Sequence, residues 1–130
     1  MATDLENIEK LLARFKRQIP EGKHYQKRLV EEFELILNLR FTDYFLQICD
    51  IIDLTTDLTH MTRGSAGSSL ICYLLGITDV DPIKWKIPVA RFMNPLRDDL
   101  PDVDIDFEHW RQHDVMTVSY THLRAHETIH

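Results

Sequence analysis

The chain has 130 residues, of which 44% are hydrophobic and 28% charged, a balance that fits one soluble domain with a modest core. Its formal net charge of −6 has the wrong sign for a domain that grips DNA through a basic surface of its own. No apolar run is long enough to cross a bilayer and the first residues lack a signal-peptide core, so a cytoplasmic protein is expected.

Three amphipathic helices are predicted in the first half of the chain. Apolar residues recur at helical spacing over residues 4–18, and a Pro-Glu-Gly break follows at residues 20–22. The same spacing predicts a second helix over residues 23–39. Thr42-Asp43 is a suitable N-cap for a third helix that continues to Ile52.

A small, polar segment at residues 63–69 leads into an apolar run that ends at Gly76. This pattern predicts a helix whose amino terminus could bind a phosphate, because free backbone N–H groups and the helix dipole both favour an anion there. The alternative is an ordinary, well-capped helix start. The segment lacks the Gly-Lys-Ser/Thr ending of a Walker loop. Its candidate phosphate contacts are Arg63, Ser65, Ser68 and Ser69, with Gly64 and Gly67 permitting close backbone approach.

Within residues 100–107, apolar and acidic side chains alternate strictly from Pro101 onward, which predicts a strand. Asp102, Asp104 and Asp106 would share one face of that strand. Two carboxylates on one face of a strand can bind a pair of divalent metal ions, the arrangement that catalyses phosphoryl transfer in two-metal enzymes. The alternatives are an exposed acidic edge strand or a loop that binds calcium for structural reasons.

Two further features have simple structural interpretations. Cys49 and Cys72 lie among apolar residues without metal-ligand spacing, and we expect buried, reduced thiols. The pair Tyr44 and Phe45 could stack on nucleic-acid bases, but its helical spacing favours a core contact.

A phosphate-binding segment followed by paired aspartates is typical of nucleotidyltransferases. The first rival hypothesis is a metal-dependent phosphoesterase, which would need further ligands, and only His109 and His113 lie near the predicted strand. The second rival is a non-enzymatic helical interaction domain, which leaves the glycine–serine segment unexplained.

Several separate motifs, in order, resemble the C-family bacterial DNA polymerases, the family of the DNA polymerase III alpha subunit. They lie at residues 25–29, 41–46, 63–70, 76–82, 90–97 and 101–107. The resemblance implies an α+β fold, in which a helical amino-terminal part leads into an incomplete nucleotidyltransferase-type polymerase palm. It also implies addition of deoxynucleotides to a primer 3′ hydroxyl.

The resemblance assigns roles to individual residues. It implies that Asp102 and Asp104 are catalytic metal ligands for Mg²⁺, of which two ions are expected, and that Arg63, Gly64 and Ser65 bind the triphosphate. Asp106 is implied as a supporting acid rather than a ligand. Arg91 and Arg97 are implied contacts to the nucleotide or primer terminus, with surface ion pairing as their alternative. The implied partners are primer–template DNA, deoxynucleoside triphosphates, and the sliding clamp and other replisome subunits through regions outside this chain.

Three parts of the chain are expected: a helical lead-in at residues 1–40, a partial palm at 41–116 and a non-native tail at 117–130. Residues 60–62, His-Met-Thr, depart from the glycine-rich lead that the family usually has. The family's third catalytic aspartate lies downstream of this sequence, so we expect the isolated chain to be inactive. The tail resembles translated sequencing-adapter DNA, and no metal site is predicted at its regularly spaced His122, His126 and His130.

Overall fold

A computed structural model of the protein describes residues 4–54, 60–94, 96, 101 and 103–107, with the backbone alone described at 60–64 and 104–107. No described helix is both long and apolar enough to span a membrane. In chain order the elements are α1 (Asp4–Ala13), α2 (Lys23–Leu39), α3 (Thr42–Leu54), β1 (His60–Arg63), a 3₁₀ turn (Gly64–Ser68), α4 (Leu70–Leu74), a second 3₁₀ turn (Val89–Arg91) and β2 (Asp104–Phe107).

Helix α1 ends at Ala13, so the prediction that it continues to residue 18 is wrong. The backbone N–H groups of Lys16 and Arg17 instead donate to the Leu74 carbonyl, at 2.7 and 3.2 Å. The chain therefore leaves α1 to satisfy the carboxyl end of α4, whose last carbonyls have no partner within their own helix. This ending depends on a contact between residues far apart in sequence.

The predicted bounds of the second helix are confirmed, because α2 spans Lys23–Leu39. It ends at Arg40, which adopts a left-handed conformation with φ 60°. The third helix, α3, spans Thr42–Leu54, so it starts at the predicted position and runs two residues beyond Ile52. The buried amide of Asn7 donates to Thr42 Oγ1 at 3.0 Å and so joins the amino-terminal ends of α1 and α3.

One hydrophobic core connects the helices. Phe45 is fully buried and meets Tyr44 and Phe92 edge to face, which confirms a core role for the Tyr44–Phe45 pair. The core draws on both the 1–40 and the 41–116 segments, whose division into separate units stays a prediction. Its buried members are Leu11, Leu35, Ile36, Phe41, Phe45, Ile48, Cys49, Ile52, Ala66, Ile71, Cys72, Leu75, Ile77, Val89, Phe92 and Met93.

The expectation of an α+β palm is wrong for the described residues. Strands β1 and β2 form a two-stranded antiparallel ribbon of four residues each, and the other regular elements of the described ranges are helical. The physical reason is that most apolar residues repeat at helical spacing, so their burial favours helix–helix packing over a sheet. The predicted strand is confirmed at Asp104–Phe107, whereas Asp102 and the 117–130 tail lie outside the described residues.

Both cysteines are free and buried, as the sequence predicts. Burial raises the pKa of the Cys49 thiol from 9.0 to about 11, and it raises the pKa of the Cys72 thiol further.

We therefore expect neither thiol to react with Ellman's reagent at pH 8 until the chain is denatured. Because the folded-state pKa is raised, the contribution of Cys49 to stability is lost as the pH rises from 9 towards 11. Rapid labelling of either thiol in the native chain would contradict this prediction.

Candidate active site

The glycine–serine segment forms a tight turn followed by a short helix. Gly64–Ser68 is a 3₁₀ turn, and Ser69 is the N-cap of α4, its Oγ accepting from the Cys72 N–H at 3.1 Å. Helix α4 ends at Leu74 with Leu75 as its C-cap, and the chain turns away at Gly76, where φ is 78° and a side chain would be strained. The predicted helix start and stop are both confirmed.

The amino terminus of α4 is occupied by a carboxylate from α2. Glu32 is completely buried, and its two oxygens accept from the Leu70 N–H at 2.7 Å and the Ile71 N–H at 3.2 Å. The Ser69 hydroxyl donates to the same carboxylate at 2.7 Å. The two backbone N–H groups are among those that a helix leaves unsatisfied at its first turn, and a negative charge there is favoured by the helix dipole.

Arg28 completes this buried network. Its Nε donates to Glu32 at 3.0 Å, one helical turn along α2. Its Nη2 donates to the Ser68 carbonyl at 2.6 Å and to the Ile87 carbonyl at 2.7 Å. The Arg28 side chain is only 11% exposed, and its guanidinium joins α2 both to the turn before α4 and to the chain at Ile87.

The charge state of Glu32 reflects two opposing effects. Burial raises the pKa of the carboxyl above its ordinary value, while hydrogen bonds from Ser69, Leu70 and Ile71 and the nearby Arg28 charge act to lower it. All four contacts are donated to the carboxylate, which matches the acceptor-only chemistry of the ionised form. Arg28 supplies the compensating positive charge that a buried anion needs.

Sequence reasoning missed Glu32 as a contributor to this site. A glutamate in an amphipathic helix usually faces solvent, as its neighbour Glu31 does. The available signal was its position: Glu32 lies four residues after Arg28 and four before the buried Ile36, on the same helical face.

The predicted phosphate site of residues 63–69 cannot lie at the amino terminus of α4, where it was expected. Because the first N–H groups of α4 are already bonded to Glu32, the end of that helix does not offer them to an outside anion. The space beside the preceding turn is open, since a side chain built at Gly67 would meet no atom within 4 Å. Ser65 in this turn is half-buried. Any phosphate contact made by the segment falls to the turn rather than to the helix.

The antiparallel ribbon brings two predicted parts of the site together. Arg63 and Asp104 are Cα partners across β1 and β2, and Met61 is the partner of Asp106. Arg63 is followed directly by Gly64, the first residue of the 3₁₀ turn. The backbone thus places the start of the predicted triphosphate motif beside one of the predicted metal ligands, although they lie 41 positions apart in sequence.

Helix α3 anchors the chain that enters β2. The Tyr44 hydroxyl donates to the carbonyl of Pro101 at 2.6 Å, and Pro101 is buried. Val103 packs against the hydrophobic core. Contacts on both sides of position 102 therefore fix the backbone next to the predicted carboxylates.

The donor set fits a magnesium ion chemically, because aspartate carboxylates are the hard oxygen ligands that Mg²⁺ prefers. Within the part of the chain that the structure describes, no three His, Cys, Asp or Glu side chains are grouped so as to hold a metal. Of the two arginines implied as nucleotide or primer contacts, Arg91 is exposed at the end of the second 3₁₀ turn, and Arg97 lies outside the described residues.

Comparison with known proteins gives one consistent result. Residues 5–128 match the family described as bacterial DNA polymerase III alpha NTPase domain. A DNA polymerase III subunit alpha from Staphylococcus epidermidis is 40% identical over 109 residues, which cover 82% of this chain and 10% of that protein. The Staphylococcus aureus (strain MRSA252) protein of the same name is 45% identical over 95 residues, which cover 71% of this chain and 9% of that protein. The chain spans about a tenth of the length of these curated relatives.

Proposed function

The chain belongs to the bacterial DNA polymerase III alpha family, and from this membership we propose that it contributes part of the nucleotidyl-transfer site of a replicative DNA polymerase. The reaction is template-directed addition of a deoxynucleotide to a primer 3′ hydroxyl in the cytoplasm. The partners of the intact protein are primer–template DNA, deoxynucleoside triphosphates, the sliding clamp and other replisome subunits.

One observation carries the proposal beyond family membership: the pairing of Arg63 with Asp104 across the ribbon. A nucleotidyltransferase must hold an anionic triphosphate next to acidic metal ligands, and cationic and hydrogen-bonding groups must offset the repulsion between them. The ribbon puts a cationic residue and a glycine turn at the strand that carries the aspartates. The phosphoesterase and interaction-domain hypotheses require no such pairing.

In the proposed site, Arg63 neutralises charge on the triphosphate, Gly64 allows the backbone to approach it, and Ser65 donates a hydrogen bond. Asp102 and Asp104 hold Mg²⁺. Bound there, Mg²⁺ would supply the Lewis acidity for activating the attacking hydroxyl and stabilising the leaving pyrophosphate. Asp106 supports the two ligands without binding the metal itself.

The isolated chain offers a direct test of the metal assignment. We expect weak Mn²⁺ binding, seen by electron paramagnetic resonance, and no primer extension, because two carboxylates alone hold a metal pair loosely. The double variant Asp102→Ala/Asp104→Ala should lose the binding.

The matched control is Asp79→Ala, which removes a carboxylate that is 93% exposed and bonded to Arg17 at the surface. It should bind Mn²⁺ as the unchanged chain does. Equal binding by the double variant would overturn the ligand assignment, and robust primer extension by the isolated chain would overturn its predicted inactivity.

A further inference from the structure

The turn that we propose to bind the triphosphate is fixed at its carboxyl end by side chains of α2. Ser69, which directly follows the 3₁₀ turn, donates to Glu32 at 2.7 Å, and the next two backbone N–H groups donate to the same carboxylate. The carbonyl of Ser68, the last residue of the turn, accepts from Arg28 at 2.6 Å. Donors and acceptors of two consecutive residues are therefore fixed by one ion pair on another helix.

The residues that fix the turn in place differ from those proposed to contact the nucleotide. Glu32 is 0% exposed, and all its oxygen contacts lie within the protein. Arg28 divides its guanidinium between Glu32 and two backbone carbonyls. Burial closes Glu32 to a nucleotide, and the printed contacts of Arg28 are all to groups of the protein, so together the two residues set the position of the backbone that would meet a nucleotide.

The geometry points to Glu32 and Arg28 as positioning residues for nucleotide binding by the Gly64–Ser68 turn. This inference rests on the proposed function, and it extends that function to two residues of α2. A turn whose amino end is set by the β1–β2 pairing and whose carboxyl end is set by this ion pair presents its N–H groups in one arrangement. Pre-organised donors bind an anion better than donors that must first be ordered.

Glu32→Gln is the informative substitution. A glutamine keeps the size of the side chain but replaces one acceptor oxygen with an N–H₂ donor. That donor would face one of the groups that now donate to Glu32, so at least one buried donor loses its partner. The matched control is Glu31→Gln, which makes the same chemical change one residue earlier, on an exposed side chain.

Two measurements on the isolated chain test the inference. The first is the affinity for dATP with saturating Mg²⁺, measured by calorimetry at a temperature where circular dichroism shows every variant to be folded. The second is hydrogen exchange of the Leu70 and Ile71 amides by NMR. We expect Glu32→Gln to weaken dATP binding about tenfold, which is the effect of one poorly made charged hydrogen bond. Hydrogen exchange at both amides should become faster. Glu31→Gln should change neither.

Arg28→Lys serves as a second variant, should Glu32→Gln prove too unstable. A compact ammonium keeps the charge but cannot span Glu32 and two carbonyls as the planar guanidinium does. Weaker dATP binding in the folded variant is again the expected result.

The outcomes separate three possibilities. Faster exchange with unchanged dATP affinity would make Glu32 a purely structural residue and overturn the inference. Unchanged exchange together with unchanged affinity would overturn it as well. Absence of dATP binding by the unchanged chain would overturn the proposed nucleotide-binding role itself, and with it the positioning role that depends on it.

Discussion

Replacing Glu32 with alanine is expected to cost the chain roughly 3–5 kcal/mol of unfolding free energy, the usual loss when one partner of a buried ion pair is removed. Two consequences combine. The Arg28 guanidinium stays in a site where only 11% of its side chain is exposed, without its counter-charge. The Leu70 and Ile71 N–H groups and the Ser69 hydroxyl lose the acceptor that they share.

Urea denaturation followed by circular dichroism would measure this loss. Glu31→Ala is the matched control, because it removes an exposed carboxylate from the adjacent position of the same helix, and surface substitutions of this kind usually stay within about 0.5 kcal/mol. A midpoint for Glu32→Ala equal to that of the control would contradict the network as a source of stability.

The double variant Arg28→Ala/Glu32→Ala divides the effect into its parts. Removing both charges relieves the unpaired guanidinium but also takes its donor from the Ser68 and Ile87 carbonyls, so only part of the stability lost in Glu32→Ala should return. The two backbone N–H groups of α4 remain without an acceptor in either variant. Full recovery would mean that the unpaired charge alone caused the loss.

Replacing Asp104 with alanine in a full-length polymerase that carries this segment is expected to lower kcat for primer extension by roughly a thousandfold. Metal coordination contributes several kcal/mol to transition-state stabilisation, and each ~1.4 kcal/mol corresponds to a factor of about ten in rate. The KM for the deoxynucleotide should change far less, because the proposed triphosphate contacts belong to other residues. Single-turnover primer extension measures the chemical step.

Asp106→Ala is the matched control for this prediction. It removes a carboxylate from the same strand, two residues along, where the Cα partner is Met61 instead of Arg63. As a supporting acid, Asp106 should contribute much less than Asp104. Equal losses in the two variants would contradict the distinction between ligand and supporting acid.

Local patterns predicted several elements of the fold. Helix α2 and the start of α3 follow from apolar spacing, and the start of α4 follows from the capping preference of serine as well. The early end of α1 could not be predicted in this way, because Lys16 and Arg17 leave the helix to bond with Leu74. A tertiary hydrogen bond of this kind has no local sequence signal.

The same limit applies to the sheet. Alternation along residues 104–107 indicated a strand, but a strand pattern does not specify its partner. The pairing of Arg63 with Asp104 is a register between segments far apart in sequence, and only the folded backbone provides it. The palm expectation failed because helical spacing dominates the described chain.

For the candidate site, the sequence indicated which residue types could perform the chemistry and which segment could approach a phosphate. It did not indicate that the end of α4 already holds a carboxylate. A glutamate within an amphipathic helix is usually solvated, and its burial depends on the position of Arg28 and of a second helix. Such compensation is a property of packed elements.

Helix α4 has a further consequence for how the chain can be divided or assembled. It has five residues, far fewer than an isolated helix needs to persist in water. Its first turn is completed by Glu32 and its last carbonyl by Lys16 and Arg17, all within the first forty residues. A shortened protein starting at residue 41 would keep every residue proposed to act in the chemistry, yet it would lose the groups that complete both ends of this helix. The first forty residues, which carry none of the proposed chemistry, therefore supply the hydrogen-bond partners for both ends of the helix beside the site.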